Sequence, residues 1–118
     1  MIKNRPFIEH KIIEIFKLDS TILNKAEFVL PYIERFAGEA NLKIIKKEFH
    51  NFSPFGATMI FVLSSSHLAV HTWPENNYLH IDLLTCAHAP ENNVLMEILK
   101  EVFSIKSDQI LIREVKYE

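Results

Sequence analysis

Apolar residues are spaced along the chain in two periods. They recur at three- and four-residue steps over residues 21–40 and again over about 91–103, and this spacing predicts two amphipathic helices. Alternating or continuously apolar segments predict strands at residues 7–18, 42–49, 57–63, 67–71, 78–86 and 109–117. The continuous run at 57–63 is typical of a buried central strand. Turn signals at Asp19, 51–56, Pro74 and Pro90 separate these elements.

The order of these elements, β-α-β-β-β-β-α-β, predicts the fold class. Links of hairpin length in the middle of the chain favour a mainly antiparallel sheet, with both helices covering one face. We therefore expect an α+β fold, a two-layer α/β sandwich. The second face of the sheet then needs cover, and a second subunit is the candidate for it.

Composition narrows the class of protein. A chain of 118 residues with 48% hydrophobic content fits one domain, residues 1–118. A net charge of -2 gives no basic surface for nucleic acid, and the longest apolar run is far shorter than the roughly 20 residues that span a membrane. One cysteine forms no internal disulfide, and the N-terminus lacks the apolar run of a signal peptide. These features predict a cytoplasmic protein that binds neither nucleic acid nor membrane.

Reactive side chains are concentrated in the middle of the chain. Within 23 positions stand Ser64, Ser65, Ser66, His67, His71, Glu75, His80, Asp82 and Cys86. A zinc site is disfavoured, because two histidines four residues apart on a strand are separated by about 13 Å. A serine hydrolase is also disfavoured, because no Gly-x-Ser-x-Gly elbow is present and the chain has only two glycines.

Three motifs together carry a family resemblance. The run SSSHLAVHTWPENNY at 64–78, followed by DLLTC at 82–86 and preceded by FSPFGAT at 52–58, resembles the core of the short prokaryotic S-adenosylmethionine decarboxylases. Weaker similarity extends over nearly all of the chain. Each motif alone is a weak signal, whereas their combination at these spacings is highly specific.

The resemblance implies a proenzyme that cuts itself between Ser65 and Ser66, giving fragments 1–65 and 66–118. Ser66 would become a covalent pyruvoyl group, the cofactor that replaces pyridoxal phosphate as electron sink in decarboxylation. His71 matches the processing base, and Thr58 stands where the family has a serine that assists processing. Cys86 matches the proton donor to the decarboxylated carbon, a role that suits a thiol because it is mostly protonated at neutral pH.

The resemblance also assigns substrate contacts and an assembly. Phe52 would stack on the adenine of S-adenosylmethionine, Glu75 would accept hydrogen bonds from the ribose, and His67 would support the site. The expected assembly is a homodimer with shared active sites: Phe52, Thr58, His71 and Glu75 come from one chain, and Ser66 and Cys86 from the other. The product, decarboxylated S-adenosylmethionine, would be used in the biosynthesis of spermidine and other polyamines. For His10, Glu14, His80 and Asp82 the sequence favours a structural role.

Four positions depart from the family pattern and leave alternatives open. Ser65 replaces a glutamate, Phe55 a glutamine, and Met59 and Ile8 each a glycine. Bulk at Phe55 and Met59 beside the adenine site would suit a smaller substrate, so a pyruvoyl-dependent arginine or ornithine decarboxylase is the alternative enzyme. An unprocessed homologue acting as a binding or regulatory partner is the alternative from another class. Retention of Ser66, His71 and Cys86 together argues against it.

Overall fold

A computed structural model describes residues 3–118 and contains a single six-stranded sheet. Its strands are β1 Glu9–Ile15, β2 Ile44–Asn51, β3 Ala57–Leu63, β4 Ser66–Trp73, β5 Tyr78–Thr85 and β6 Ile110–Glu114. They lie in the order β2-β3-β4-β5-β1-β6, and every neighbouring pair is antiparallel. The α-helices are α1 Ser20–Leu23, α2 Ala26–Glu39 and α3 Asn92–Phe103, and short 3-10 turns occur at Pro74–Asn76 and Ser107–Gln109. The predicted α+β class is confirmed.

The helix predicted over residues 21–40 is broken into two. Asp19 starts α1 by accepting a hydrogen bond from the Thr21 amide, but Lys25 is extended, with φ -141° and ψ 151°. The Asn51 side chain accepts the Ala26 N–H at 2.7 Å and so satisfies a free donor at the start of α2. Because this partner lies on β2, 25 residues away, the local pattern of apolar residues did not reveal the break.

The prediction of a buried central strand at Ala57–Leu63 is wrong for one of its faces. Met59 and Phe61 are fully buried under the helices, whereas Ile60 and Val62 are 40% and 43% exposed. The strand is interior to the sheet, but the helices form a single layer and cover one side only. The apolar run therefore reflects a second, uncovered surface as well as the core.

The core lies between the sheet and the helices. Alternate strand residues such as Ile13, Val70 and Ile81 pack there against Phe36 and Leu99 of the helices, all of them at most 1% exposed. The opposite side of the sheet, called the open face below, carries the other alternate residues of the inner strands: His10, Ile12, Glu14, Thr58, Ile60, Val62, His67, Ala69, His71, Trp73, Tyr78, His80, Asp82 and Leu84. Four of the predicted reactive side chains, His67, His71, His80 and Asp82, are on this open face.

None of the helices in residues 3–118 is long and apolar enough to cross a membrane.

Candidate active site

A two-residue turn joins β3 to β4 and carries the predicted cleavage site. Leu63 pairs with Ser66 across the ladder, so Ser64 and Ser65 form the loop. Two-residue hairpin loops usually use glycine or asparagine to reach positive φ. Here the residue with positive φ is Ser66, the first residue of β4, which takes a φ of 145° that L-residues rarely adopt. Backbone strain is therefore located at the residue that follows the predicted scissile bond.

The carbonyl of Ser65 has a defined partner. The backbone N–H of Cys86 donates a hydrogen bond to the Ser65 oxygen at 2.6 Å. This contact follows from the register in which Ser66 pairs with Thr85, the last residue of β5. A fixed N–H aimed at a carbonyl polarises it and stabilises negative charge that develops on its oxygen. Cys86 is exposed and free, so its thiol is accessible beside the same turn.

A second group of residues surrounds a cavity of about 390 Å³ at the other end of β4. Its lining includes Phe52, Phe55, Gly56, Thr58, His71, Trp73 and Glu75. The predicted adenine and ribose contacts, Phe52 and Glu75, thus line one cavity together with the predicted processing residues Thr58 and His71. Met59 is fully buried in the core instead, because strand alternation turns it away from Thr58. The expectation that Met59 adds bulk beside this cavity is therefore wrong, whereas Phe55 does line it.

The loop before β3 holds Phe52 at the rim of this cavity. Phe52 N–H donates to the Gly56 carbonyl at 2.8 Å, and Gly56 N–H donates to the Asn24 carbonyl at 2.9 Å. Gly56 has a φ of 98°, a conformation that strains any residue with a Cβ. The Phe52 and His50 rings pack edge to face with 4.6 Å between centroids, and Phe52 remains 51% exposed. About half of the Phe52 surface is therefore accessible at the rim of the cavity.

His71 and Thr58 form a direct pair across β3 and β4. Thr58 Oγ1 and His71 Nδ1 lie 2.9 Å apart, in a register that pairs the two residues. Burial of the ring lowers the pKa of His71, the neighbouring His80 lowers it further, and the Asp82 carboxylate opposes both. A half-buried imidazole kept neutral in this way is suited to accept a proton.

The two groups do not meet within one chain. Ser66 and His71 are five residues apart on the same strand, which separates their backbones by about 16 Å. Ser65, Ser66 and Cys86 lie at one end of β4 and β5, whereas Phe52, Thr58, His71 and Glu75 lie at the other. A site shared between two protomers stays a prediction.

His67 belongs to the Ser66 end, where a polar chain supports it. Its Nε2 lies 3.8 Å from Asp82, and that carboxylate is 2.8 Å from His10 Nε2. The other ring nitrogen of His10 contacts the Tyr117 hydroxyl at 2.8 Å. The Tyr117 contact left no signal in the sequence, because the two residues are 107 positions apart and meet only in the fold.

Two further residues at the cavity were also missed. Trp73 forms part of its wall, and the buried Thr72 fastens the loop beneath it through two hydrogen bonds, to Ala57 and Leu23. Their place in HTWPE was the available signal, since Thr72 and Trp73 stand between His71 and Glu75. Among residues 3–118 no group of three His, Cys, Asp or Glu side chains is arranged to hold a metal ion.

The fold and this site define a class of small α+β protein with a strained serine turn and, at the other end of the same strand, a separate cavity of about 390 Å³. A family model described as S-adenosylmethionine decarboxylase matches residues 9–116. The chain belongs to the S-adenosylmethionine decarboxylase family.

Similar proteins agree with this assignment. An S-adenosylmethionine decarboxylase proenzyme of Clostridium botulinum is 32% identical over 101 residues, covering 86% of this chain and 87% of that protein. A proenzyme of the same description from Acidithiobacillus ferrooxidans is 33% identical over 108 residues, covering 91% and 80%. The crystal structure of adenosylmethionine decarboxylase from Aquifex aeolicus superposes with a TM-score of 0.77 and 24% identity, covering 94% of this chain and 90% of that one. That likeness supports the fold.

Proposed function

We propose that this protein is a pyruvoyl-dependent S-adenosylmethionine decarboxylase that supplies decarboxylated S-adenosylmethionine for spermidine and other polyamine synthesis. It would be made as a proenzyme and would cut itself into fragments 1–65 and 66–118. The observation that carries the proposal is the Ser65–Ser66 turn, where a strained serine follows a carbonyl that accepts a 2.6 Å hydrogen bond from Cys86 N–H. The single free cysteine suits a reducing compartment, which supports the proposal that the protein is located in the cytoplasm.

The turn supplies what self-cleavage needs. Ser66 Oγ attacks the Ser65 carbonyl carbon, and the Cys86 N–H stabilises the negative charge that forms on the Ser65 oxygen. The C–N bond between the two serines breaks, leaving an ester on Oγ and an amine on Ser66. Relief of the positive φ at Ser66 favours this step.

His71 and Thr58 are proposed to complete the cleavage. A neutral imidazole removes the Cα proton of Ser66, and the Cβ–Oγ bond breaks to release the Ser65 carboxylate. Hydrolysis of the resulting dehydroalanine then releases ammonia and leaves pyruvoyl at the start of the second fragment. Thr58 Oγ1, 2.9 Å from His71 Nδ1, fixes the orientation of the ring.

In the mature enzyme the pyruvoyl group would supply an electron sink for decarboxylation. Cys86 Sγ would carry the proton that returns to the substrate carbon after carbon dioxide leaves, and His67 would support this end of the site. Phe52 would stack on adenine, and Glu75 would accept hydrogen bonds from the ribose hydroxyls. The exposure of Phe52 and the cavity of about 390 Å³ that it lines together with Glu75 support these roles.

A homodimer that joins the open faces would bring the two groups of residues together. A separation of about 16 Å along β4 prevents His71 from reaching the Ser66 of its own chain. The open face also exposes Ile60, Val62 and Trp73 to at least 40%, and such apolar residues favour contact with a second copy.

Intact-mass measurement of the purified protein tests self-cleavage. We expect two fragments, with residues 66–118 lighter by one ammonia than a peptide that starts with serine. The Ser66→Ala chain should stay whole. A wild-type chain that also stays whole would refute the proposal and favour an unprocessed binding or regulatory homologue.

Mixing two inactive variants tests the shared site. Neither Ser66→Ala nor His71→Ala should cleave alone, because each lacks one half of the machinery. After joint refolding, the mixed dimer contains one site with Ser66 from one chain and His71 from the other. We expect the His71→Ala chain in that dimer to be cut, and the Ser66→Ala chain to stay whole. If mixing restores no cleavage while sedimentation detects the mixed dimer, the two groups do not act across the interface.

A further inference from the structure

His80 stands next to His71 on the open face. Its Cα register partners are His71 on β4 and Glu14 on β1, so the three residues form one row across the sheet. The ring centroids of His80 and His71 are 6.2 Å apart. His80 Nδ1 is buried and has no hydrogen-bond partner among the residues that the structure describes. A buried polar atom without a partner calls for an explanation.

Four polar or aromatic residues on three strands neighbour His71, and the Glu75 carboxylate lines the same cavity. Thr58 Oγ1 on β3 contacts His71 Nδ1. The ring centroid of Trp73, which lies on the same strand as His71, is 6.1 Å from that of His71. From β5, His71 faces His80 and, at longer range, Asp82. Burial and His80 lower the pKa of His71, and Asp82 is the one neighbour that opposes them.

The carboxylates near His80 are both held by other groups. Asp82 contacts His10 at 2.8 Å, and Glu14 contacts the Tyr78 hydroxyl at 2.8 Å and Arg113 at 2.7 Å. Burial and the hydrogen bond to Glu14 raise the pKa of Tyr78, so this phenol keeps its proton and continues to donate. Both carboxylates are thus engaged with other groups, and neither contacts the buried His80 Nδ1.

We propose that His80 is a positioning residue that keeps the His71 imidazole neutral, the form that accepts a proton during self-cleavage. This inference rests on the proposed role of His71 as processing base. His80 would disfavour the charged form of His71 in two ways. Its ring excludes water that would solvate a charged His71, and its own protonation would repel a second positive charge at this distance.

The rate of self-cleavage against pH tests this role. Chains made by cell-free synthesis are transferred to a series of buffers, and the loss of intact chain is followed with time. In His80→Gln we expect the acidic midpoint to move upward, so that cleavage well below the midpoint is several-fold slower than in the wild type. The plateau rate at higher pH should be unchanged or slightly higher. His50→Gln is the matched control, since His50 pairs with Thr58 at the edge of the same row and should leave the midpoint in place.

Direct titration of His71 separates this inference from the proposed function. In the uncleavable Ser66→Ala chain, the ring resonances of His71 are followed by NMR with and without His80→Gln. We expect His80→Gln to raise the pKa of His71. An unchanged or lower His71 pKa would overturn the role of His80, whatever the cleavage assay shows. A wild-type chain that never cleaves would instead overturn the proposed function of Ser66.

Discussion

Thr72 offers the sharpest test of how the cavity is held in place. Its hydroxyl accepts the Ala57 N–H at 2.9 Å and donates to the Leu23 carbonyl at 2.8 Å. It thereby joins β4, the start of β3 and the end of α1, directly below the loop that carries Phe52. Thr72→Val has nearly the same shape but removes both hydrogen bonds.

The expected cost follows from burial. Ala57 and Leu23 are at most 1% exposed and Thr72 is 8% exposed, so water has little access to the groups left behind. An unsatisfied buried donor or acceptor costs about 1–3 kcal/mol, so the two together should lower the free energy of unfolding by about 2–6 kcal/mol. That is a large part of the roughly 5–15 kcal/mol that holds a typical domain together.

Urea unfolding of the Ser66→Ala chain measures this loss without interference from cleavage. Chain concentration must be fixed, because the stability of a dimer depends on it. Thr21→Val is the control: it makes the same chemical change at an exposed hydroxyl that bonds Asp19, and should cost within about 0.5 kcal/mol. A loss below about 1 kcal/mol in Thr72→Val would refute the reasoning, since both buried groups would then have found other partners.

Three further predictions concern substrate, chemistry and assembly. Phe52→Ala should lower kcat/KM for S-adenosylmethionine about 5- to 150-fold, the loss of about 1–3 kcal/mol of stacking, while self-cleavage proceeds. Carbon dioxide release should be compared with arginine and ornithine, and faster wild-type release from either would overturn the substrate assignment. Cys86→Ala should still cleave, because the backbone amide polarises Ser65, but should lose most decarboxylation; an uncleaved variant would contradict that division of roles. Ile60→Glu should shift sedimentation toward monomer and slow cleavage, and a cleaving monomer would refute the shared site.

The sequence predicted the order of elements because each has a strong period of its own. The break before α2 was invisible because it depends on Asn51, which reaches Ala26 through the fold. The face of β3 that lies open was also hidden, since a continuous apolar run does not say whether one side or both are covered. Periodicity reports the chemistry along a segment, whereas these two features depend on what packs against it.

The residues of the site could be named from the sequence, but their arrangement could not. The motifs and their spacing assigned roles to Ser66 and His71, but they did not show how the strands that carry these residues are paired. The structure adds that His71 is paired with Thr58 and stands beside His80, a residue for which the sequence favoured a structural role. The Cys86 amide at the Ser65 carbonyl was equally hidden, because a backbone donor leaves no signature in side-chain identity.

The geometry of β4 limits how a dimer can complete the site. Face-to-face sheets lie about 10 Å apart, so a residue on one open face reaches only those directly opposite. A two-fold axis along the strands would set Ser66 opposite the Ser66 of the other copy, and the site would stay divided. An axis that crosses the strands near Ala69, between Ser66 and His71, sets the Ser66 end of each β4 opposite the other copy's His71. Asp82 and Glu14 already have partners within their own chain, so this packing would bury few unpaired charges. Of the two axes, the crossing one is therefore the one that fits the chemistry proposed for Ser66.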